Sequence, residues 1–334
     1  MKRTLALTIA VMLIWAGTAR ADLLDSPMGY FNVYSLGDIG SVSSAYHSDF
    51  QGAAGAAGDV HFAQFSLADV AASSGYALHV GGSARLGGGS YYGSVEAGGN
   101  VELGFLDIAG SVLSGGDVSN FGGGTVSGDV VAAGSVSLSQ QMTVFGDRLS
   151  GVPYSPTVDH AAMSEFFRTT SDSIGAMSAT TVVTNRWGML GINAQSGINV
   201  VSLDGATLRN AWGLNITGPD DAVVYVNVPN ETVSLNWTGW EYHGGISTDD
   251  VLLNMPNATR LSLSSANAVN ILAPEAETYF GAGLIEGVLV VGDLQGGGQV
   301  NIGGFDHASV PEPATMVLLG GLGAVILRRR RRGR

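Results

Sequence analysis

The sequence predicts an all-β protein: a parallel β-solenoid of roughly triangular section with one flanking helix, set between an N-terminal signal helix and a C-terminal hydrophobic helix. Three observations carry this. A motif of glycine, a short residue and usually an aliphatic residue returns at Gly58, Gly75, Gly93, Gly110, Gly128 and Gly146, in steps of 17, 18, 17, 18 and 18. A second set, Gly82, Gly99, Gly116 and Gly134, runs between them in steps of 17, 17 and 18. The segments after these glycines, such as Asp59-Val60-His61-Phe62 and Ser135-Val136-Ser137-Leu138, alternate aliphatic with small or polar residues and are too short for helices.

A repeat of about 18 residues divides into three sides of about six, which is one coil of a solenoid. Glycine suits the corners because it accepts positive φ and lets stacked backbones approach closely. A single coil buries nothing by itself. Successive coils stacked in register about 4.8 Å apart bury a shared apolar column and pair the backbone groups.

Composition narrows the chemistry. Glycine supplies 50 of 334 residues, roughly twice the usual share. There is no cysteine, hence no disulfide and no thiolate metal site. Between Asp22 and Val310 six basic residues face 27 acidic ones, a net charge of −21. Such a surface repels nucleic acid and anionic lipid, and it attracts basic partners or divalent cations.

In chain order, residues 1–21 form a secretory signal: Lys2 and Arg3, an apolar run from Leu5 to Trp15, and a small-x-small cleavage site at Ala19 and Ala21. The signal implies the Sec translocase as an export partner. The body spans 22–309. Tyr30-Phe31-Asn32-Val33-Tyr34-Ser35-Leu36 reads as a strand entering the first coil, and regular coils follow to about 150. Pro153 and Pro156 then break the ladder. Met163, Phe166, Phe167, Thr170, Ile174 and Met177 recur at spacings of three and four, predicting a helix over about 158–178 laid along the flank or over an end. Strand patterns return over 180–305 with looser spacing, read as the same solenoid with irregular coils. The largest loop expected there, 237–250, holds Trp237, Trp240 and Tyr242, candidate glycan contacts because flat aromatic faces stack on sugars.

Residues 310–334 hold Val310-Pro311-Glu312-Pro313, an apolar run over 314–327, and an arginine cluster that includes Arg328, Arg329 and Arg330. The run rises about 21 Å as a helix, short of the roughly 30 Å hydrocarbon core. It fits a transient inner-membrane anchor better than a permanent one.

This tail resembles the PEP-CTERM sorting signal of Gram-negative bacteria, which implies handling by an exosortase and delivery to the cell surface or exopolysaccharide matrix. The body resembles the choice-of-anchor A family, an adhesive β-solenoid domain. The residues that carry this are 30–38, 52–58, Leu252-Leu253-Asn254-Met255-Pro256, Ile271-Leu272-Ala273-Pro274-Glu275-Ala276 and Gly283-Leu284-Ile285-Glu286-Gly287. The resemblance brings no catalytic residues with it.

The expected function is therefore adhesion to, or scaffolding of, a biofilm matrix, with extracellular polysaccharide or surface proteins as partners. Three alternatives stand beside it. A polysaccharide-active enzyme would need converging carboxylates, from Glu96 with Glu102, Asp249 with Asp250, or Glu275 with Glu277. An ice-binding solenoid would show stacked threonines, where the regular coils have serine and glycine. A calcium-stabilised solenoid would use the Gly-Asp pairs at Asp38, Asp59, Asp117, Asp129, Asp147 and Asp293. The repeated calcium-binding nonapeptide is missing, however, and the six histidines lack metal-site spacing, so no metal site and no cofactor is expected.

Overall fold

The computed structural model describes residues 27–71, 75–236 and 239–305. They form one parallel solenoid of three sides. The signal segment with Ala19 and Ala21, the tail with its apolar run, Trp237 and His307 lie outside the described residues. No described helix is long and apolar enough to cross a membrane.

The first coil is not at an end of the stack. Its opening strand, Val33–Ser35, pairs in parallel with Ala54–Ala56 on one edge and with residues 289–291 on the other. From the first coil the chain winds outward through Tyr76–Val80, Ser94–Ala97, Val112–Ser114 and Val130–Ala132 to Arg148–Leu149. It then crosses back and starts again at the opposite end with Gly197–Ser202. From there it winds inward through Ala222–Asn227, Val251–Asn254 and 270–272 until 289–291 closes on the first coil. The expected stacking is present, but chain order is not stacking order. The two halves meet at a seam of three backbone pairings: Val33–Ser35 against 289–291, Ile39 against Leu294, and Phe50 against Val300.

The helix makes the crossover. It spans His160–Gly175, within the expected bounds, and lies along the flank. Its length of about 24 Å passes about five rungs. Asp159 caps its start, accepting from the Ala162 amide. Near its end the Ile174 and Ser171 carbonyls accept from the buried side chains of Asn227 and Asn254. Met163, Phe167 and Ile174 pack on the outward residues of side one, Tyr34, Tyr225, Leu252, Leu272 and Val290, giving a second core outside the central one. Two shorter helices, Pro27–Tyr30 and Gly205–Asn210, were not expected.

The glycine period has a sharper cause than corner conformation. At one corner the side chains of Asp293, Asp38, Asp59, Ser83, Asn100 and Asp117 each accept a hydrogen bond from the backbone amide one rung on. Ser94, Ser111 and Asp129 do the same at a second corner. The glycine of each following rung sits where that side chain passes. A Cβ on Gly58, Gly82, Gly116 or Gly134 would lie 2.1–2.2 Å from the accepting oxygen. None of these four has positive φ. The Gly-Asp pairs are thus rungs of a side-chain ladder.

The second half departs from the expected pattern on its third side. There Val183–Arg186 runs antiparallel to Met189–Asn193, followed by Gly213–Thr217 and Trp240–His243 in parallel, as a separate four-stranded sheet. The segment 237–250, expected as a loop, contains the last of these strands. At the other end of the rod Arg148 takes the register position that Val130 and Val112 fill in the core column, and its Nη2 donates to the Met142 carbonyl. A charge at an inward position of a terminal strand opposes end-to-end pairing.

Candidate adhesive surface

Side one is covered. At its centre His79 and Glu96, 1% and 2% exposed, stand on adjacent rungs as outward residues roofed by the segments around Tyr30 and Thr157. Glu96 accepts from His79 Nδ1 at 3.0 Å, Tyr154 Oη at 3.0 Å, the Thr157 amide at 2.8 Å and the Thr157 hydroxyl. Burial pushes its carboxyl up, but the hydrogen bonds from His79 and Thr157 outweigh burial and hold it at about 2. On the far side of the ring His79 Nε2 and the Tyr30 hydroxyl are hydrogen-bonded at 2.8 Å. Beside it Tyr34 Oη and His160 Nδ1 are 2.9 Å apart, and burial, helped by His79, lowers His160 to about 4 against the pull of Glu96 and Asp159. Its ring and the Tyr34 hydroxyl share that hydrogen bond. This network clamps the start of the chain and the crossover onto one side wall.

Among the described residues, sides two and three remain open. In the regular half, the outward column of side two runs His61, Arg85, Glu102, Ser119 and Ser137. That of side three runs Ser90, Asp107, Thr125 and Thr143. Neither column is a stack of threonines. In the other half, side two carries an open groove of ≈ 680 Å³. Thr232, Ser234 and Ser262 give it small polar side chains, Arg260 and Glu277 flank these, and Tyr279 stands beside Ser262 and Gln295, 60% exposed. An exposed ring among hydroxyl, amide, guanidinium and carboxylate groups offers both stacking and hydrogen bonding to a polar ligand.

Of the aromatic residues singled out from sequence, Trp240 and Tyr242 lie elsewhere. Trp240 and Tyr242 are half-buried against the core, with Trp240 Nε1 donating to Asn267 Oδ1 at 3.4 Å and Tyr242 Oη donating to the Ala268 carbonyl. Of the carboxylate pairs, Glu96 is buried on side one, whereas Glu102 pairs with Arg85 on side two. Glu275 pairs with Arg168 of the long helix while Glu277 lines the groove. Asp250 caps the short helical turn Thr248–Asp250, and Asp249 accepts from the Gly304 amide. Among the described residues no three His, Cys, Asp or Glu side chains gather as a metal site. The aromatics exposed among the described residues are Tyr92, Phe105, Phe121, Phe145, Trp187, Trp212 and Tyr279.

An adhesive-like domain together with a PEP-CTERM sorting motif marks an exported cell-surface protein. The chain belongs to the family described as Putative Ice-binding-like adhesive domain, whose model matches residues 24–302. Residues 309–332 match the PEP-CTERM protein-sorting motif, which implies exosortase-dependent sorting. The resemblance to choice-of-anchor A domains is compatible with this membership. No curated protein and no solved structure matches the chain.

Proposed function

We propose that this protein is an adhesive or structural component of the biofilm matrix that holds extracellular polysaccharide along its open walls. The observation that supports this reading best is the groove on side two, where Tyr279 stands among Arg260, Glu277, Gln295 and Ser262. Each contact is modest, and several along one rigid wall sum to useful avidity. The acidic body favours neutral or basic polymers over anionic ones. In this reading the Sec translocase exports the chain, residues 314–327 hold it briefly in the inner membrane, and an exosortase acting at Val310-Pro311-Glu312-Pro313 delivers it outside. We read the chain as a binder, because the carboxylate pairs weighed for an enzyme stand on different walls or are engaged in ion pairs and caps.

A binding array of neutral, basic and acidic polysaccharides and matrix proteins, probed with residues 22–309, tests the proposal. Binding to one or more neutral or basic polysaccharides is expected, with an affinity loss of about tenfold for Tyr279→Ala. Exclusive binding to proteins, or cleavage of the polymer, would contradict it.

A further inference from the structure

We infer that the outward face of the four-stranded sheet, with two indoles at its rim, is a second binding surface, built for the flat face of a β-linked hexopyranose polymer. The inference rests on the polysaccharide-binding reading, but its site is not the groove. Val183–Arg186 and Met189–Asn193 form a hairpin whose two-residue turn is Trp187-Gly188. Both turn residues have positive φ, +52° at Trp187 and +88° at Gly188. A turn of this kind selects Asn, Asp or Gly at its first position, and a bulky side chain there is strained. Trp187 is nevertheless 94% exposed, so the strain is not repaid by packing its ring into the core. Strain kept without a folding return points to a use outside the fold.

Trp212, one rung away and 62% exposed, is held by the same turn. Its Nε1 donates to the Trp187 carbonyl, and its ring lies so close over Gly188 that a Cβ there would meet Nε1 at 2.2 Å. The indole is fixed, which lowers the entropy cost of stacking a ligand on it. Beyond the two rings and Met189, whose sulfur lies over Gly213, polar side chains on the outward face are already arranged. Asn215 Nδ2 donates to Glu241 Oε2 at 2.9 Å, and Thr217 Oγ1 donates to Asn215 Oδ1 at 3.3 Å. Asn215 is in register with Glu241, and Thr217 with His243, on rungs about 4.8 Å apart.

That combination selects the occupant. An extended β-linked polysaccharide presents ring faces rich in C–H and edges rich in hydroxyls, and advances by about one rung per sugar. The indoles take the faces, while the amide, hydroxyl and carboxylate groups take the edges. A lipid surface would meet the acidic body, and an apolar partner protein would strip water from Asn215, Glu241 and His243 without replacing their hydrogen bonds.

Tryptophan fluorescence of the mature chain titrated with cellohexaose and chitohexaose, together with pull-down on microcrystalline cellulose and chitin, tests this. The expected result is a saturable fluorescence change, a loss of about tenfold or more in affinity for Trp187→Ala and for Trp212→Ala, and recovery of most of it in Trp187→Phe. Tyr279→Ala should leave the fluorescence change intact. Equal binding by wild type and both alanine variants, with loss only in Tyr279→Ala, would overturn this site and leave the groove standing. No binding of either sugar polymer by the wild type would overturn this site, and a wild type that also binds nothing on the polysaccharide array would remove the broader reading. Tryptophan-dependent self-association in the ultracentrifuge, or tryptophan-dependent capture by anionic vesicles, would assign the surface to another occupant.

Discussion

Gly116→Ala should destabilise the solenoid by about 3 kcal/mol or more, a drop in Tm of about 6–10 °C for a chain of this size. The added Cβ would lie 2.2 Å from Asn100 Oδ1 and 3.0 Å from the Asn100 nitrogen. Asn100 Oδ1 accepts from the Asp117 amide, so relieving the clash breaks a ladder bond as well as moving backbone. Asp117→Ala removes one acceptor without a clash and should cost clearly less. Calorimetry on the two variants separates these terms. Equal losses would mean that the glycine period reflects corner conformation and not close approach.

Glu96→Ala is the second large effect, expected at about 3–5 kcal/mol, because it leaves His79, Tyr154 and both donors of Thr157 facing a buried vacancy. The same carboxyl predicts an acid limb. The unfolded chain protonates Glu96 near 4.5, whereas the folded chain resists until about 2. Its stabilisation is therefore complete above about pH 4.5 and is lost as the pH falls toward 2. His160 acts one window higher. It takes a proton near 6.5 when unfolded and near 4 when folded, so its contribution is lost as the pH falls through that interval. Tm measured from pH 7 to pH 2.5 should show both limbs, and Glu96→Gln should flatten the lower one. An unchanged lower limb in that variant would remove Glu96 as its source.

Much of the architecture was legible because every rung of the regular half repeats one physical requirement. Each needs a glycine where the previous rung's Asp, Ser or Asn passes, and aliphatic residues behind it, so the period of 17 or 18 is written out directly. The helix was equally plain from Met163 to Ile174. Stacking order was not legible. The seam strands Val33-Tyr34-Ser35 and Leu289-Val290-Val291 carry ordinary strand residues, which suit any rung, and nothing local says that residue 290 meets residue 34. The surroundings of Trp240 and Tyr242 were not legible for a related reason. Trp240 and Tyr242 look like loop aromatics until the Trp240–His243 strand turns them onto the core. The coils of the second half are longer, and their signal was a Trp-Gly pair at 187–188 returning at 212–213, 25 residues on. Glu96 and Glu102 are near in sequence, yet the corner at Gly98-Gly99 sends them to different walls.

The joined halves are the central claim, and the absence of native cysteine makes a direct measurement clean. Gln51 and Asn301 lie one residue beyond the Phe50–Val300 pair, where the Gln51 side chain accepts from the Ile302 amide. In the double variant Gln51→Cys with Asn301→Cys, oxidation of the folded protein should give an intramolecular disulfide, seen as a linked peptide pair by mass spectrometry and a shift on a non-reducing gel. Coils stacked in chain order would hold these positions about 50 Å apart. Free thiols at both sites in the folded, oxidised protein would contradict the seam.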